Sequence, residues 1–276
     1  MPELPEVEAT RRHLEPVLAG AVPVRVEVRG ERLLRHQPRP GDFAARLRGR
    51  RIDRLARHGK YLLAGLDGGL TWVTHLGMSG RLAVAGAGTT EDAHTRLVVA
   101  LADGPEVRFV DPRAFGFSAV LTAEEMSLAG PARLGPDALE DLPPAEWLKA
   151  HLRRRKAAIK AVLLDQGFLA GLGNIYADEV LHRARIRPDR PALTLGTGEI
   201  ARLRSAIRPV LESGLRHGGT SLADLAYLLP DGRAGTHSSR LRAYGREGLP
   251  CRRCRAPIQR IVLRNRSAFF CRECQL

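Results

Sequence analysis

Residues 251–274 read CRRCRAPIQRIVLRNRSAFFCREC. All four cysteines of the chain lie here, as two Cys-x-x-Cys pairs, Cys251/Cys254 and Cys271/Cys274, separated by sixteen residues. Two such knuckles joined by a short hairpin present four thiolates in a tetrahedron. A site closed by four protein ligands leaves no place for a catalytic water, so the expected cofactor is one structural Zn2+. Two disulfides are the competing pairing, disfavoured in a reducing compartment. Between the knuckles, apolar Ile258 and Val262 interleave with Arg260 and Arg264, and Ser267 to Phe270 runs back to the second pair, which predicts a β-hairpin. Residues 240–276 carry ten arginines against only Glu247 and Glu273, so the ribbon is also expected to bind phosphates.

The excess of positive charge extends beyond the ribbon. The 276 residues carry a formal net charge of +14, which favours a polyanionic partner because each neutralised phosphate releases a condensed counterion. Nucleic acid leads; an anionic membrane surface competes. No apolar run reaches the roughly 18 residues of a membrane span and no secretory leader is evident, so a soluble cytoplasmic protein is expected. A hydrophobic content of 44% can fill at least one sizeable core, and the length suggests two or three domains. Only Lys60, Lys149, Lys156 and Lys160 stand among forty arginines. Codon bias accounts for most of that imbalance, yet a lysine can titrate where an arginine cannot.

Upstream, residues 22–120 alternate short β-rich runs with Gly, Pro and Asp, as in Val22 to Arg29, Tyr61 to Gly65, Thr71 to Leu76, Leu97 to Leu101 and Val107 to Val110, which suggests a β-sandwich. Before it, Pro5 suits the first turn of a helix with Val7, Leu14 and Leu18 on one side, and Pro16 limits how regular the helix end can be. Gly130 to Pro144 has linker composition, and the pattern beyond it is helical to about residue 229. Lys149, Arg153, Lys156 and Lys160 recur at helical spacing as a basic stripe, either a solvated face or a DNA contact. Arg155 would break the apolar side, so a helix break is expected at Arg154 and Arg155, with a new helix from Lys156 to Leu164. Gly171-Leu-Gly173-Asn174 lacks the third glycine and the preceding strand of a dinucleotide fingerprint; it predicts a tight turn and a helix starting near Asn174, whose free N–H groups could hold a phosphate.

The opening, Met1-Pro2-Glu3-Leu4-Pro5-Glu6-Val7-Glu8, can be a helix start with acids placed favourably for its dipole. It can also be a reactive terminus. A small second residue permits removal of Met1, and the exposed Pro2 amine would titrate near roughly 7.7 to 8.0, leaving an uncharged nucleophile at neutral pH.

Together with Arg57-His-Gly-Lys60-Tyr61-Leu, His75-Leu-Gly-Met78-Ser-Gly, Asp111-Pro-Arg113-Ala-Phe115-Gly, Gly171-Leu-Gly-Asn174-Ile-Tyr-Ala, Tyr244-Gly-Arg and the cysteine ribbon, this opening resembles the formamidopyrimidine-DNA glycosylase family over essentially the whole chain. The resemblance implies an α+β multidomain fold: an N-terminal two-layer β-sandwich with its helix (1–130), a helix-two-turn-helix domain (131–240) and a β-hairpin zinc finger (241–276). It implies a bifunctional DNA glycosylase and AP lyase that removes oxidised purines, with Pro2 as nucleophile, Glu3 as general acid, and Lys60 and Arg266 serving the two elimination steps. Met78, Arg113 and Phe115 match the triad that fills the gap left by a flipped nucleotide, and a Met, an Arg and a Phe suit that void. His94 and Arg155 match DNA-binding positions, and Asn174 and Tyr244 join Lys60 at the phosphates. The implied partner is double-stranded DNA carrying oxidised bases or abasic sites, met by a monomer. The stretch from Ser221 to His237 stands where the family has a lesion-capping loop, and its variability leaves base preference open. An endonuclease VIII-like enzyme for oxidised pyrimidines and a non-enzymatic zinc-ribbon binder are the alternatives.

Overall fold

The computed structural model describes residues 2–86, 88–102, 104–222 and 227–276. Met1, whose removal would expose Pro2, and residues 223–226 of the expected capping stretch lie outside them. The chain forms two compact units, one of residues 1–133 with 217–238, the other of 134–216 with 239–276.

The first unit opens with helix α1 (Leu4–Leu18), followed by β1 (Pro23–Val28), a short α2 (Asp42–Leu47), β2 (Ile52–His58), β3 (Tyr61–Leu66), β4 (Thr71–His75), β5 (Arg81–Ala85), β6 (Thr95–Leu101), β7 (Glu106–Val110), β8 (Phe117–Leu121) and α3 (Ala123–Leu128). The strands form two antiparallel four-stranded sheets, ordered β1-β6-β7-β5 and β2-β3-β4-β8. Their facing residues, among them Ile52, Leu62, Trp72, Leu97, Val99, Phe109 and Val120, share one core with Val7, Leu14 and Leu18 of α1, the helical stripe legible in the sequence. Each such buried side chain contributes about 1.5–3 kcal/mol. Pro16 does not end α1: it forgoes one bond in the last turn, and the Ala19 N–H closes the helix on the Glu15 carbonyl at 2.9 Å. Helix α3, absent from the sequence reading, begins at a capping box in which Thr122 and Glu125 each accept the other's backbone N–H.

The second unit comprises α4 (Ala145–Leu152), α5 (Ile159–Leu163), α6 (Asn174–Ala184), α7 (Thr197–Arg216) and the hairpin of β9 (Ile258–Leu263) and β10 (Arg266–Cys271). The hairpin turns on Arg264 and Asn265, both with positive φ, and pairs Leu263 with Arg266. The break at Arg154 and Arg155 is present, but the new helix starts at Ile159 rather than Lys156. The reason lies in the backbone: the Arg155 and Ala157 carbonyls accept from the Leu193 and Ala192 N–H groups, and the Ile159 N–H donates to the Arg190 carbonyl, so 155–158 is held non-helical by 190–193. Helix α7 ends at Arg216, where Gly218 and Gly219 both take positive φ, and among the described residues from 217 to 229 no helix follows it.

Candidate active site and nucleic-acid interface

In the first unit, Pro2 and Glu3 are buried at the start of α1. The Glu3 backbone N–H donates to Glu6 Oε2 at 2.8 Å, and Glu6 Oε1 accepts the Thr220 N–H at 2.7 Å. The Glu6 carbonyl accepts from Tyr227 Oη at 3.1 Å. Burial and the nearby Glu6 push the Tyr227 phenol far above its ordinary range, so it stays a donor. Glu6 thereby ties the helix that follows Pro2 to the 217–238 segment. Gly219 is required there: its φ is +85°, and a Cβ would sit 2.8 Å from Glu6 Cγ.

One turn on, Glu8 connects α1 to Lys60. Its carboxylate takes Arg11 Nε at 3.0 Å, Arg12 Nε at 2.8 Å and Arg57 Nε at 3.2 Å. Burial would raise its pKa, but these guanidiniums outweigh that and hold it below the usual carboxylate range. Arg57, almost wholly buried, also donates Nη1 to the Gly59 carbonyl at 3.1 Å and so fixes the turn that delivers Lys60. Lys60 is itself only 8% exposed. Its charge is felt at His75, whose pKa falls from 6.5 to about 4, first through burial and then through Lys60, Arg35 and His36. The neutral His75 accepts the Gly77 N–H at Nδ1 (3.0 Å) and stacks on Phe117.

Beyond Gly77 the surface bears Met78, 40% exposed, and Phe115, 38% exposed, large apolar side chains left facing solvent. Arg113 lies with its guanidinium carbon 5.0 Å from the Phe115 ring centroid. The void-filling residues expected from sequence are thus presented by two adjoining loops, β4–β5 and β7–β8. His94 is exposed, and its carbonyl accepts the Asp111 N–H at 3.0 Å, which ties it to the base of the second loop.

In the second unit the phosphate-binding candidates are organised by α6. Asn174 opens the helix after Gly173, as expected, and its Oδ1 is buried with no hydrogen-bond partner among the described residues. Glu179 accepts the backbone N–H groups of Arg242 (2.9 Å), Ala243 (2.8 Å) and Tyr244 (3.0 Å), which sets the loop carrying Tyr244. Burial raises the Glu179 pKa against the pull of those three donors. Asp178 pairs with Lys160 Nζ at 2.7 Å and accepts the Phe269 N–H at 2.9 Å, while Lys160 also donates to the Ser267 carbonyl at 2.6 Å. Arg266, adjacent to Ser267, is exposed at the start of β10. The basic stripe therefore needs correction: Lys160 is 1% exposed and binds the hairpin internally, while Arg153 and Lys156 face solvent. Arg155 pairs with Asp165 at 2.6 Å and lies over Phe168, so part of its guanidinium is engaged within the unit.

The four cysteine sulfurs lie within 4.8 Å of one another, with Cys254–Cys271 at 3.4 Å and Cys251–Cys274 at 3.9 Å. Tetrahedral Zn–S bonds of about 2.3 Å require sulfurs about 3.8 Å apart, so the cluster fits one zinc ion and not two disulfides. His182 of α6 places Nε2 3.5 Å from Cys251 Sγ, where an N–H can support the thiolate. Nine of the ten arginines of 240–276 are exposed around this hairpin.

The sequence motifs mark the candidate residues themselves, buried Pro2, Glu3 and Lys60 as well as exposed Met78, Phe115 and Arg266, but not those that hold them: Glu6, Glu8, His75, Asp111, Asp178 and Glu179. Glu6 and Glu8 stood in the quoted opening, and His75 and Asp111 each open a quoted motif, but their partners are distant in sequence.

Among known families, residues 1–118 match the profile of the formamidopyrimidine-DNA glycosylase N-terminal domain, 134–225 that of the formamidopyrimidine-DNA glycosylase H2TH domain, and 248–276 that of the zinc finger found in FPG and IleRS. Formamidopyrimidine-DNA glycosylase of Desulforamulus reducens is 45% identical over 277 residues, covering 100% of this chain and 99% of that protein. The protein of the same name from Roseiflexus sp. is 44% identical over 275 residues, covering 100% of both. Among solved structures, the MutM (Fpg) protein of Thermus thermophilus superposes with a TM-score of 0.89 at 39% identity, covering 99% of this chain and 98% of that one. Lactococcus lactis Fpg in complex with DNA containing Fapy-dG superposes at 0.90 and 30%, covering 99% of each. With profiles matched in order along the β-sandwich, the helical domain and the zinc hairpin, and with relatives aligned end to end, the chain belongs to the formamidopyrimidine-DNA glycosylase family.

Proposed function

We propose that this chain excises oxidised purines, formamidopyrimidines and 8-oxoguanine among them, from double-stranded DNA and then cleaves the strand, with Pro2 as its nucleophile. The observation that carries the reading is the corner where Pro2 and the Glu3 carboxyl are buried side by side, the Glu3 backbone pinned by Glu6. With Met1 removed, the Pro2 lone pair attacks C1′ of the flipped deoxynucleotide and the base departs. Glu3 delivers a proton to the ring oxygen, the sugar opens, and an iminium joins Pro2 to C1′. That cation acidifies C2′, so loss of a C2′ proton expels the 3′ phosphate, and a second elimination expels the 5′ phosphate. Lys60, held by the Arg57 clamp, serves the first elimination, and Arg266 serves the second. A guanidinium with pKa above about 12 contributes there chiefly as a phosphate clamp.

The remaining roles follow from position. Met78, Arg113 and Phe115 fill the gap left by the extruded nucleotide; His94, Arg155, Asn174 and Tyr244 bind the DNA. The zinc hairpin is a folding unit: Cys251, Cys254, Cys271 and Cys274 hold the ion, which supplies no chemistry to the reaction. The match to formamidopyrimidine-DNA glycosylases favours oxidised purines over the pyrimidine substrates of the endonuclease VIII branch, and the buried Pro2–Glu3 pair favours an enzyme over a simple binder. The bacterial relatives support a protein that works in the bacterial cytoplasm, read here as a monomer. No helix among the described residues is long and apolar enough to cross a membrane.

Glu3→Gln tests the assignment. It should nearly abolish release of 8-oxoguanine from duplex DNA while retaining measurable cleavage at a preformed abasic site, where the base is already gone. Equal rates for Glu3→Gln and wild type on the base-containing duplex would remove Glu3 from the mechanism.

A further inference from the structure

The β4–β5 and β7–β8 loops meet back to back. A Cβ on Gly77 would stand 2.4 Å from the Gly116 nitrogen, and added carbons on Gly80 and Gly116 would both strike the Phe109 ring, at 2.8 and 2.4 Å. The two loops are therefore in backbone contact over one buried ring. Where they touch lies the Asp111 carboxylate, 0% exposed. Its Oδ1 accepts the Ser79 hydroxyl of the first loop at 2.6 Å and the Arg113 N–H of the second at 3.3 Å, and its Oδ2 accepts the Gly116 N–H at 2.7 Å. Its backbone is fixed as well, by Arg96 Nε on the carbonyl at 3.1 Å. Between Arg113 and Phe115, Ala114 has φ +52°, a conformation that a non-glycine residue keeps only where its surroundings impose it. Arg35 completes the clamp by donating to the Phe115 and Gly116 carbonyls.

We propose that Asp111, through its bond to Ser79, is a positioning residue that fastens these two loops into one wedge, so that Met78 enters the vacated base position in concert with Arg113 and Phe115. The inference rests on the void-filling role given to those three residues above. Asp111 touches no reacting atom in this account. Its carboxylate serves a mechanical end: a charged acceptor buried between loops is satisfied only when both are in place, so the loops close together or not at all.

Ser79→Ala and Asp111→Asn separate this role from simple support of the fold. Each is assayed in single turnover on 8-oxoguanine duplex and on a preformed abasic site, with 2-aminopurine opposite the lesion reporting the filled gap. Loss of one charge-assisted bond should slow duplex excision roughly tenfold and delay the fluorescence change by the same factor, while abasic cleavage falls by less than about threefold. Because both variants loosen the same Ser79–Asp111–Gly116 junction, the double variant should be slower than Asp111→Asn alone by much less than the product of the two single effects. Ser79→Ala leaves the Asp111–Gly116 bond intact and carries the test if Asp111→Asn unfolds. Equal losses on the two substrates, or multiplicative losses in the double variant, would overturn the proposal. A Phe115→Ala control distinguishes the layers: if it loses duplex excision selectively while Ser79→Ala and Asp111→Asn match wild type, the wedge stands and the role of Asp111 falls. If Phe115→Ala loses nothing selectively, the void-filling role falls and takes the proposal with it.

Discussion

Lowering the pH should loosen the first unit through one imidazole. His75 has its pKa depressed from 6.5 to about 4, chiefly by burial and then by Lys60, Arg35 and His36. A depressed histidine stabilises the fold in its neutral form: the contribution is complete above about pH 6.5 and is lost as the pH falls toward 4, because the unfolded chain takes up the proton first. The full displacement corresponds to roughly 3 kcal/mol, and since the ring keeps an exposed edge about 2 kcal/mol is expected. Protonation at Nδ1 would also abolish the bond accepted from Gly77, at the root of the Met78 loop. Urea unfolding of wild type and His75→Gln, which keeps an acceptor but does not titrate, isolates this group, since the other carboxylates and histidines titrate in both. The stability difference should shift by about 2 kcal/mol against wild type between pH 7 and pH 4. Lys60→Met, by removing the second cause, should move the His75 imidazole titration upward when followed by NMR. A stability difference independent of pH, or an imidazole titrating at 6.5 or above, would mean that burial and Lys60 do not hold His75 neutral.

Removal of zinc by chelation, or Cys254→Ser, should unfold the hairpin and weaken DNA binding, since structural zinc supplies on the order of 10 kcal/mol in small fingers; unchanged circular dichroism and affinity would count against a structural ion. Glu179→Ala strands three backbone N–H groups, that of Ala243 buried, and should cost about 2 kcal/mol in thermal unfolding, with Glu179→Gln costing about 1 kcal/mol. Both should reduce DNA affinity through the displaced Tyr244 loop, and a wild-type melting temperature for Glu179→Ala would show those bonds to be dispensable. Binding to duplex DNA should weaken steeply with salt, with a log-log slope of several units if the exposed arginines of the hairpin neutralise phosphates. A flat response would mean they do not.

Local signals were legible in the sequence where a short stretch determines its own structure. The Cys-x-x-Cys spacing determined the zinc hairpin, the Val7, Leu14 and Leu18 stripe determined the buried side of α1, and the glycines before Asn174 placed the start of α6. What escaped were structures decided by distant partners. Lys160 fits a solvent stripe by helical spacing, but Asp178, eighteen residues on, and the Ser267 carbonyl draw it inside. Residues 155–158 have helical composition yet stay non-helical because 190–193 offer them hydrogen bonds. The segment after Arg216 groups with the first unit, where Thr220 and Tyr227 bind Glu6, a relation across more than two hundred residues that no local pattern encodes. The candidate residues, buried Pro2, Glu3 and Lys60 included, were recognisable as motifs; the supporting carboxylates Glu6, Glu8, Asp111, Asp178 and Glu179 were recognisable only in three dimensions.

If Pro2 carries the reaction, a reducible iminium stands between protein and sugar, and borohydride converts it to a stable covalent link. Incubated with duplex DNA containing 8-oxoguanine opposite cytosine and then with borohydride, the protein should form a stable cross-link, and the DNA-bearing peptide should begin at Pro2. Retention of Met1 should abolish it, since an acylated nitrogen has no nucleophilic lone pair. A cross-link mapping to Lys60 or another lysine, or no cross-link with either an oxidised base or an abasic site, would contradict the account.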